Sequence, residues 1–156
     1  MTCTLSLSRE FAAPPSKVWR CLTEPELLKE WFAPAPVTVT RVEIEATPGG
    51  IFHVVVDVPE MGEMDGGAGC VLEARADERL VWTSALAPGF APNAAPAEGG
   101  FHFTAFTMLA PTKDGTRYTA TALHTDAAAR AAHEAMGFHD GWGQVADQLG
   151  KRAAAL

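Results

Sequence analysis

Two histidines lie near the outer ends of the last predicted β-hairpin, and imidazoles titrate nearest to neutral pH. His102 begins the strand predicted over 101–109, and His124 ends the strand predicted over 116–124. If the turn is centred on Lys113, antiparallel pairing sets His102 opposite His124 on one face of the sheet. Two facing imidazoles can act as general acid and base, or can hydrogen-bond a polar group of a ligand. They can equally be rim residues without a role, and a register slip of one residue would move them to the other face.

The same register puts most apolar residues of the hairpin on the face of the histidines. The opposed pairs are Met108–Tyr118, Phe106–Ala120 and Thr104–Ala122. The residues left for the wet face of the second strand are polar: Arg117, Thr119 and Thr121. The hairpin is therefore predicted to hold both histidines at the mouth of a space beneath its apolar face.

Two further histidines lie in the C-terminal segment, which has a helical pattern. His139 is predicted on the flank of the apolar helical stripe, within reach of a cavity, and His133 away from the stripe, in solvent. A zinc site would require three ligands, such as His102, His124 and His139. No ligand spacing supports that site, so we predict neither a metal nor another cofactor.

The element that must position these groups is one long helix predicted over 126–156. Its apolar stripe recurs at steps of four, three and four residues: Phe138, Trp142, Val145 and Leu149. Gly141 lies beside this stripe, although a glycine inside a helix costs about 1 kcal/mol relative to alanine. The missing side chain either lets a sheet approach closely or leaves room for a cavity.

Upstream of this helix, alternation at period two predicts seven strands: 2–11, 37–46, 51–58, 70–75, 80–86, 101–109 and 116–124. Two short helices are predicted after the first strand, at 16–22 and 25–32. Because short turns join consecutive strands, the sheet is antiparallel, and its apolar face has only the last helix as a large partner. We expect an α+β fold in a single domain over 1–156, a curved antiparallel sheet wrapped around a long C-terminal α-helix.

Two predicted loops separate these strands. The segment 59–69 is rich in glycine and acidic residues, and the segment 87–100 contains three prolines and three glycines. The second segment is predicted to hold no regular structure, either as a lid over a binding site or as a plain solvated loop.

Charge and cysteine content narrow the classes of function. The chain has 19 acidic and 12 basic residues, a net charge of -7, which argues against nucleic-acid and anionic-membrane partners. No apolar stretch reaches the length of a membrane span, and the N-terminus lacks the form of a signal peptide. Cys3, Cys21 and Cys70 form no CxxC motif, which favours a reducing cytoplasm.

Several local motifs, in order along the chain, resemble one known superfamily. They are PPSKVWRCLTEPELLKEWF, ATPGGIF, EARADERLVWTSAL, DGTRYTATALHT and HEAMGFHDGWGQVADQL. The chain resembles the START-like, birch-pollen-allergen-like (SRPBCC) superfamily, which has the helix-grip fold. Within it, the chain is similar to the activator of heat-shock protein 90 ATPase family, in its single-domain bacterial branch. The resemblance implies a cavity between sheet and helix, in a superfamily that includes lipid and hormone carriers, cyclase-type enzymes and co-chaperone domains.

Three hypotheses for function follow. The first is a binding protein for a small apolar, aromatic or lipid-like molecule. The candidate ligand-binding residues are Trp31, Phe52, Trp82, His102, Phe106, His124, Phe138, His139 and Trp142, although such aromatic residues can also be ordinary core. The second is a cyclase- or hydrolase-type enzyme with His102 and His124 as catalytic residues. The third is a co-chaperone-like module with a chaperone partner. Open edge strands also permit a homodimer.

Overall fold

A computed structural model describes residues 3–156 of the chain, so that residue 2 of the first predicted strand lies outside the described residues. The strands, in chain order, are β1 (Thr4–Phe11), β2 (Thr38–Ile44), β3 (Ile51–Val58), β4 (Gly62–Asp65), β5 (Gly69–Arg75), β6 (Arg79–Thr83), β7 (Leu86–Ala87), β8 (Ala91–Pro92), β9 (Phe103–Thr112) and β10 (Gly115–His124). The main sheet runs β1-β10-β9-β6-β5-β3-β2, with β4 added beside β3. All its pairings are antiparallel, as the short connections predict.

Helices cover the concave face of the sheet. Two short helices, α1 (Pro15–Thr23) and α2 (Pro25–Leu28), follow β1, and α3 (Ala127–Ala135) and α4 (Phe138–Ala154) follow β10. The α+β helix-grip prediction is therefore confirmed, with a curled antiparallel sheet around a long C-terminal helix. Within the described part of the chain, no helix is long and apolar enough to cross a membrane.

The prediction of a single helix over 126–156 is wrong in one respect, because the segment forms two helices. Asp126 caps α3, since its carboxylate accepts a hydrogen bond from the Ala129 backbone N–H at 2.8 Å. Gly137 has a φ of +91°, the left-handed conformation in which glycine commonly ends a helix. The break turns α3 back toward the end of the sheet before α4 begins.

The two predicted loops also contain short strands. β4 pairs with β3, and the two-residue strands β7 and β8 pair with each other around Gly89. The Gly89 backbone N–H donates to the Gly49 carbonyl at 2.8 Å, and the Asn93 side chain donates to the Ser84 carbonyl at 2.9 Å. These bonds fasten the proline-rich segment to the sheet, which composition alone does not reveal.

The core lies between the sheet and α1, α2 and α4. Val18, Leu28 and Leu149 are fully buried there. Gly150 marks the closest approach of α4, because a Cβ added at Gly150 would lie 2.5 Å from the Phe11 ring. The C-terminal half of α4 therefore packs tightly on β1. Trp142 and Val145, one to two turns nearer its start, are only half-buried.

Candidate functional site

An apolar cavity of about 250 Å³ lies between the inner face of the sheet, the segment around α2 and the first half of α4. Its aromatic walls are Trp31, Phe32, Phe52, Trp82, Phe103 and Trp142. Leu22, Leu28, Leu80 and Val145 fill the spaces between the rings. Within residues 3–156, no charged side chain lines this cavity. A space with this lining accepts apolar rather than ionic groups.

The two strands that flank β5 carry two of the aromatic rings. Phe52 on β3 and Trp82 on β6 stack with ring centroids 4.1 Å apart and planes inclined by 12°. Gly69 on β5 lies between them, and a Cβ there would be 2.8 Å from the Thr83 carbonyl oxygen and 3.4 Å from the Trp82 ring. The glycine therefore lets the two rings meet across the strand that separates them.

Side-chain hydrogen bonds hold the opposite wall. The Trp31 indole N–H donates to the Cys21 carbonyl at 2.9 Å, which fixes the ring against α1. Gln148 on α4 donates to the Trp31 and Ala33 carbonyls at 2.9 and 2.8 Å, and accepts from the Ala35 N–H at 3.1 Å. This one amide therefore ties the segment after α2 to the C-terminal helix.

Gly141 on α4 also lines the cavity. A Cβ added there would meet no atom within 4 Å, whereas one added at Gly150 would overlap the Phe11 ring. Of the two explanations that the sequence leaves for Gly141, close packing is therefore wrong, and its missing side chain leaves open space. Close packing does apply nine residues later, at Gly150.

Tyr118 is a polar member of the lining that sequence reasoning did not select. Its side chain lies on the inner face of β10, is only 6 % exposed and stacks on Phe11 with ring centroids 5.2 Å apart. Burial raises the pKa of its hydroxyl, which stays protonated at neutral pH. Alternation at period two could have identified Tyr118 as an inward-facing residue, because it shares the buried face of β10 with Ala120 and Ala122.

The predicted register of the last hairpin is wrong by one residue. Phe103, not His102, lies opposite His124, and Phe106 lies opposite Thr121. The physical reason is a tight two-residue loop between Thr112 and Gly115 in place of a three-residue turn. The slip moves His102 and Phe106 to the outer face, as the period of two requires.

The displaced residues take structural roles outside the cavity. The His102 ring donates from Nε2 to the Ala94 carbonyl at 2.9 Å, and its Nδ1 accepts from the Ser84 hydroxyl at 3.3 Å. Phe106 lies under the Arg79 guanidinium, with 5.5 Å from Cζ to the ring centroid. His102 therefore secures the segment before β9 and does not face His124.

The other predicted site residues occupy three kinds of position. Trp31, Phe52, Trp82 and Trp142 lie together in the cavity wall. Phe138 is buried beside the cavity, with Leu5 and Ala122, and its ring centroid is 4.5 Å from that of Trp142. His139 is 58 % exposed and contacts Glu134 at 3.3 Å, away from the cavity lining.

His124 instead pairs with His133, which contradicts the prediction that His133 lies in solvent. The break at Gly137 folds α3 onto the end of the sheet, and both imidazoles are buried. His124 donates from Nδ1 to the Cys3 carbonyl at 2.8 Å, and its Nε2 shares a hydrogen bond of 2.8 Å with His133 Nδ1.

Aromatic rings enclose His133 and connect this pair to the cavity wall. The ring centroids of Phe101, Phe103 and Phe138 lie 4.9, 5.1 and 5.2 Å from that of His133. Burial, with a smaller contribution from His124, lowers the pKa of His133 to about 4. His133 is therefore neutral at pH 7. Within the described chain, no cluster of three or more histidine, cysteine, aspartate or glutamate side chains could hold a metal ion.

A curled sheet that grips a C-terminal helix, with an apolar cavity between them, defines the helix-grip class. The family described as Activator of Hsp90 ATPase homolog 1-like protein matches residues 12–154. The chain belongs to this family.

Solved structures share the fold over nearly the whole chain. A protein from Nitrosomonas europaea is 44% identical, has a TM-score of 0.88, and covers 96% of this chain and 92% of its own. A protein from Rhodobacter sphaeroides is 25% identical, with a TM-score of 0.82 and coverage of 98% and 93%. The AHSA1 protein from Silicibacter pomeroyi is 18% identical, with a TM-score of 0.72 and coverage of 97% and 98%, and shows the fold alone. No curated protein matches the chain.

Proposed function

We propose that the protein binds a small, neutral, largely apolar molecule between the sheet and α4. The observation that carries this proposal is the cavity of about 250 Å³, lined by aromatic and aliphatic side chains on both sides. An apolar space with few polar groups is the usual form of a small-molecule site. Three free cysteines are compatible with action in the cytoplasm.

The size of the cavity favours a compact ligand over a long acyl chain. Its volume of about 250 Å³ exceeds the roughly 150 Å³ of an engineered apolar cavity that binds benzene. It lies just below the ~300 Å³ at which sites for drug-sized ligands begin. A molecule of one or two rings therefore matches this space.

The lining also favours an uncharged ligand. A buried ion needs a partner of opposite charge, because its desolvation costs several kcal/mol or more. The fifteen lining residues include no lysine, arginine, histidine, aspartate or glutamate. A carboxylate or ammonium group inside the cavity would therefore remain unpaired.

The enzyme hypothesis based on His102 and His124 loses its geometric basis. It required the two imidazoles to face each other toward the cavity. His102 instead bonds to Ser84 and Ala94, and His124 bonds to His133 and the Cys3 carbonyl. A ligand-binding function needs neither imidazole as an acid or base.

A chaperone-interaction role is the second candidate, and the favouring observation is an exposed pair of methionines. Met61 is 72 % and Met64 is 48 % exposed, at the turn before β4 and within it. Flexible methionines are common on protein-binding surfaces. The family description names activation of the Hsp90 ATPase, so that ATPase is the assay. Stimulation by the wild type that is lost with Met61→Ser/Met64→Ser supports this role, and no stimulation by the wild type rejects it.

Filling the cavity tests the binding proposal. Gly141→Leu adds a side chain to the open space, while Gly141→Ala is the matched control that adds one carbon. We expect isothermal titration with 2-isopropenylnaphthalene, a neutral bicyclic probe, to show saturable binding to the wild type and Gly141→Ala. Binding to Gly141→Leu should weaken by at least tenfold. Equal affinity for all three proteins would place the probe elsewhere and reject the proposal.

A further inference from the structure

The cavity contains a hydroxyl that the folded chain does not use. Tyr118 lines the cavity and is only 6 % exposed. Its hydroxyl nevertheless has no hydrogen-bond partner in residues 3–156. Other buried polar side chains are paired: Thr116 donates to the Ala13 carbonyl at 2.6 Å, and His124 to the Cys3 carbonyl at 2.8 Å. Because buried polar groups are normally bonded, an unused hydroxyl in a cavity wall requires an explanation.

The hydroxyl has accessible surface, although the residue is buried. Among the described residues, the only fully enclosed side-chain polar atom without a hydrogen bond of good geometry is Arg79 Nε, and it forms an ion pair with Glu73 Oε1 at 2.6 Å. The Tyr118 oxygen is therefore not sealed in the core, and the space next to this side chain is the cavity. Its neighbour Thr107 on β9 lines the same cavity, and its hydroxyl likewise has no bond within residues 3–156.

All polar side chains of the lining can donate a hydrogen bond, and only the two hydroxyls can also accept one. They are the indole N–H groups of Trp31, Trp82 and Trp142 and the hydroxyls of Thr107 and Tyr118. The Trp31 N–H is already bonded to the Cys21 carbonyl. No amide or carboxylate side chain of the described lining supplies a strong acceptor. A ligand that complements this wall therefore brings the acceptor itself.

We infer that the cavity recognises a compact neutral molecule with a hydrogen-bond-accepting oxygen, such as an aromatic ketone, to which the Tyr118 hydroxyl donates. This inference rests on the proposed ligand-binding function and adds the chemical class of the ligand. The two parts of the ligand make different contacts. Its apolar part packs against the aromatic walls, and its oxygen accepts the hydrogen bond from Tyr118. An isosteric hydrocarbon fits the same space but leaves the hydroxyl unbonded.

Two probes of nearly the same shape test this assignment. 2-Acetylnaphthalene carries a carbonyl oxygen where 2-isopropenylnaphthalene carries a CH₂ group. Tyr118→Phe removes the hydroxyl and keeps the ring that stacks on Phe11. We expect Tyr118→Phe to weaken the ketone by about 3- to 10-fold and to leave the hydrocarbon unchanged, since a net hydrogen bond has that value. Each probe is compared with itself in the wild type and in Tyr118→Phe. The difference between the two probes in their transfer from water therefore cancels.

The outcomes separate the inference from the function on which it rests. If neither probe binds the wild type, the proposed function fails. If the hydrocarbon binds and Tyr118→Phe leaves the ratio of the two affinities unchanged, only the inference fails. Thr107→Val is the matched control, and loss of ketone preference in that variant alone would assign the bond to Thr107 and overturn the role of Tyr118.

A second measurement does not depend on the folding of a variant. The carbonyl carbon of ¹³C-labelled 2-acetylnaphthalene bound to the wild type should resonate downfield of its position in cyclohexane, because a hydrogen bond polarises the carbonyl. A bound resonance at the cyclohexane position would show an unbonded oxygen and overturn the inference.

Discussion

Two glycines of α4 give the structure its sharpest stability test, because alanine should act in opposite directions at them. Gly141 and Gly150 lie on the same helix, and neither has a positive φ. Alanine is more favourable than glycine inside a helix by about 0.8–1 kcal/mol. At Gly141, a Cβ meets no atom within 4 Å, so Gly141→Ala should gain most of that free energy.

At Gly150 the same substitution meets the Phe11 ring, with carbon atoms at 2.5 and 2.8 Å from the new Cβ. Overpacking of this kind costs about 1–3 kcal/mol, which exceeds the gain in helix propensity. Gly150→Ala should therefore destabilise the protein by up to about 2 kcal/mol. The two alanine variants should differ in free energy of unfolding by about 1–3 kcal/mol.

Urea denaturation followed by tryptophan fluorescence measures this difference, and thermal unfolding provides an independent check. For a chain of this length, 1 kcal/mol corresponds to about 2–4 °C in Tm. Gly141→Ala should unfold at higher urea than the wild type, and Gly150→Ala at lower urea. A loss of stability in Gly141→Ala similar to that in Gly150→Ala would refute the open space at Gly141 and, with it, the cavity.

Two further predictions concern His133 and Gln148. With a folded pKa of about 4 against an ordinary 6.5, His133 takes up a proton in the unfolded state first, so stability should fall as the pH drops from 6.5 to 4, by about 3 kcal/mol at most. Urea denaturation across this range should show a shallower fall for His133→Asn, whose amide can still hydrogen-bond to His124 but does not titrate, and identical slopes would contradict the pKa of His133. Gln148→Met removes three hydrogen bonds to the segment after α2, so hydrogen exchange at Ala35 should accelerate while exchange in β10 stays unchanged. Acceleration in both places would indicate global destabilisation instead.

The architecture could be predicted because alternation at period two fixes the strands, and short connections fix their antiparallel order. The helical stripe identified Trp142 and Val145 correctly as residues that face the sheet, and both line the cavity. Phe52 and Trp82 reach the same wall from strands that the sequence locates, whereas Trp31 reaches it from the turn after α2, because the helix predicted over 25–32 ends at Leu28. Pattern and connection length were sufficient for this level of detail.

The histidine site could not be predicted in the same way, because it depended on one residue of register. The loop at Lys113 and Asp114 has two residues, whereas the predicted turn has three. The side chains of β9 therefore point to the opposite faces from those predicted: Phe103 faces the cavity, and His102 and Phe106 face outward. His133 was misplaced because the helical pattern continues through Gly137, whereas the backbone does not. Tyr118 was overlooked because an unused hydroxyl is visible only when the surrounding partners are known.

The most direct test of ligand binding in the cavity is an NMR titration of ¹⁵N-labelled protein with 2-acetylnaphthalene. We expect saturable shifts of the Gly141 amide and of the Trp82 and Trp142 indole N–H signals, because all three residues belong to the cavity wall. The Met61 and Met64 amides, on the exposed hairpin, should not move. The absence of saturable shifts in the wall, or shifts confined to Met61 and Met64, would contradict ligand binding between the sheet and α4.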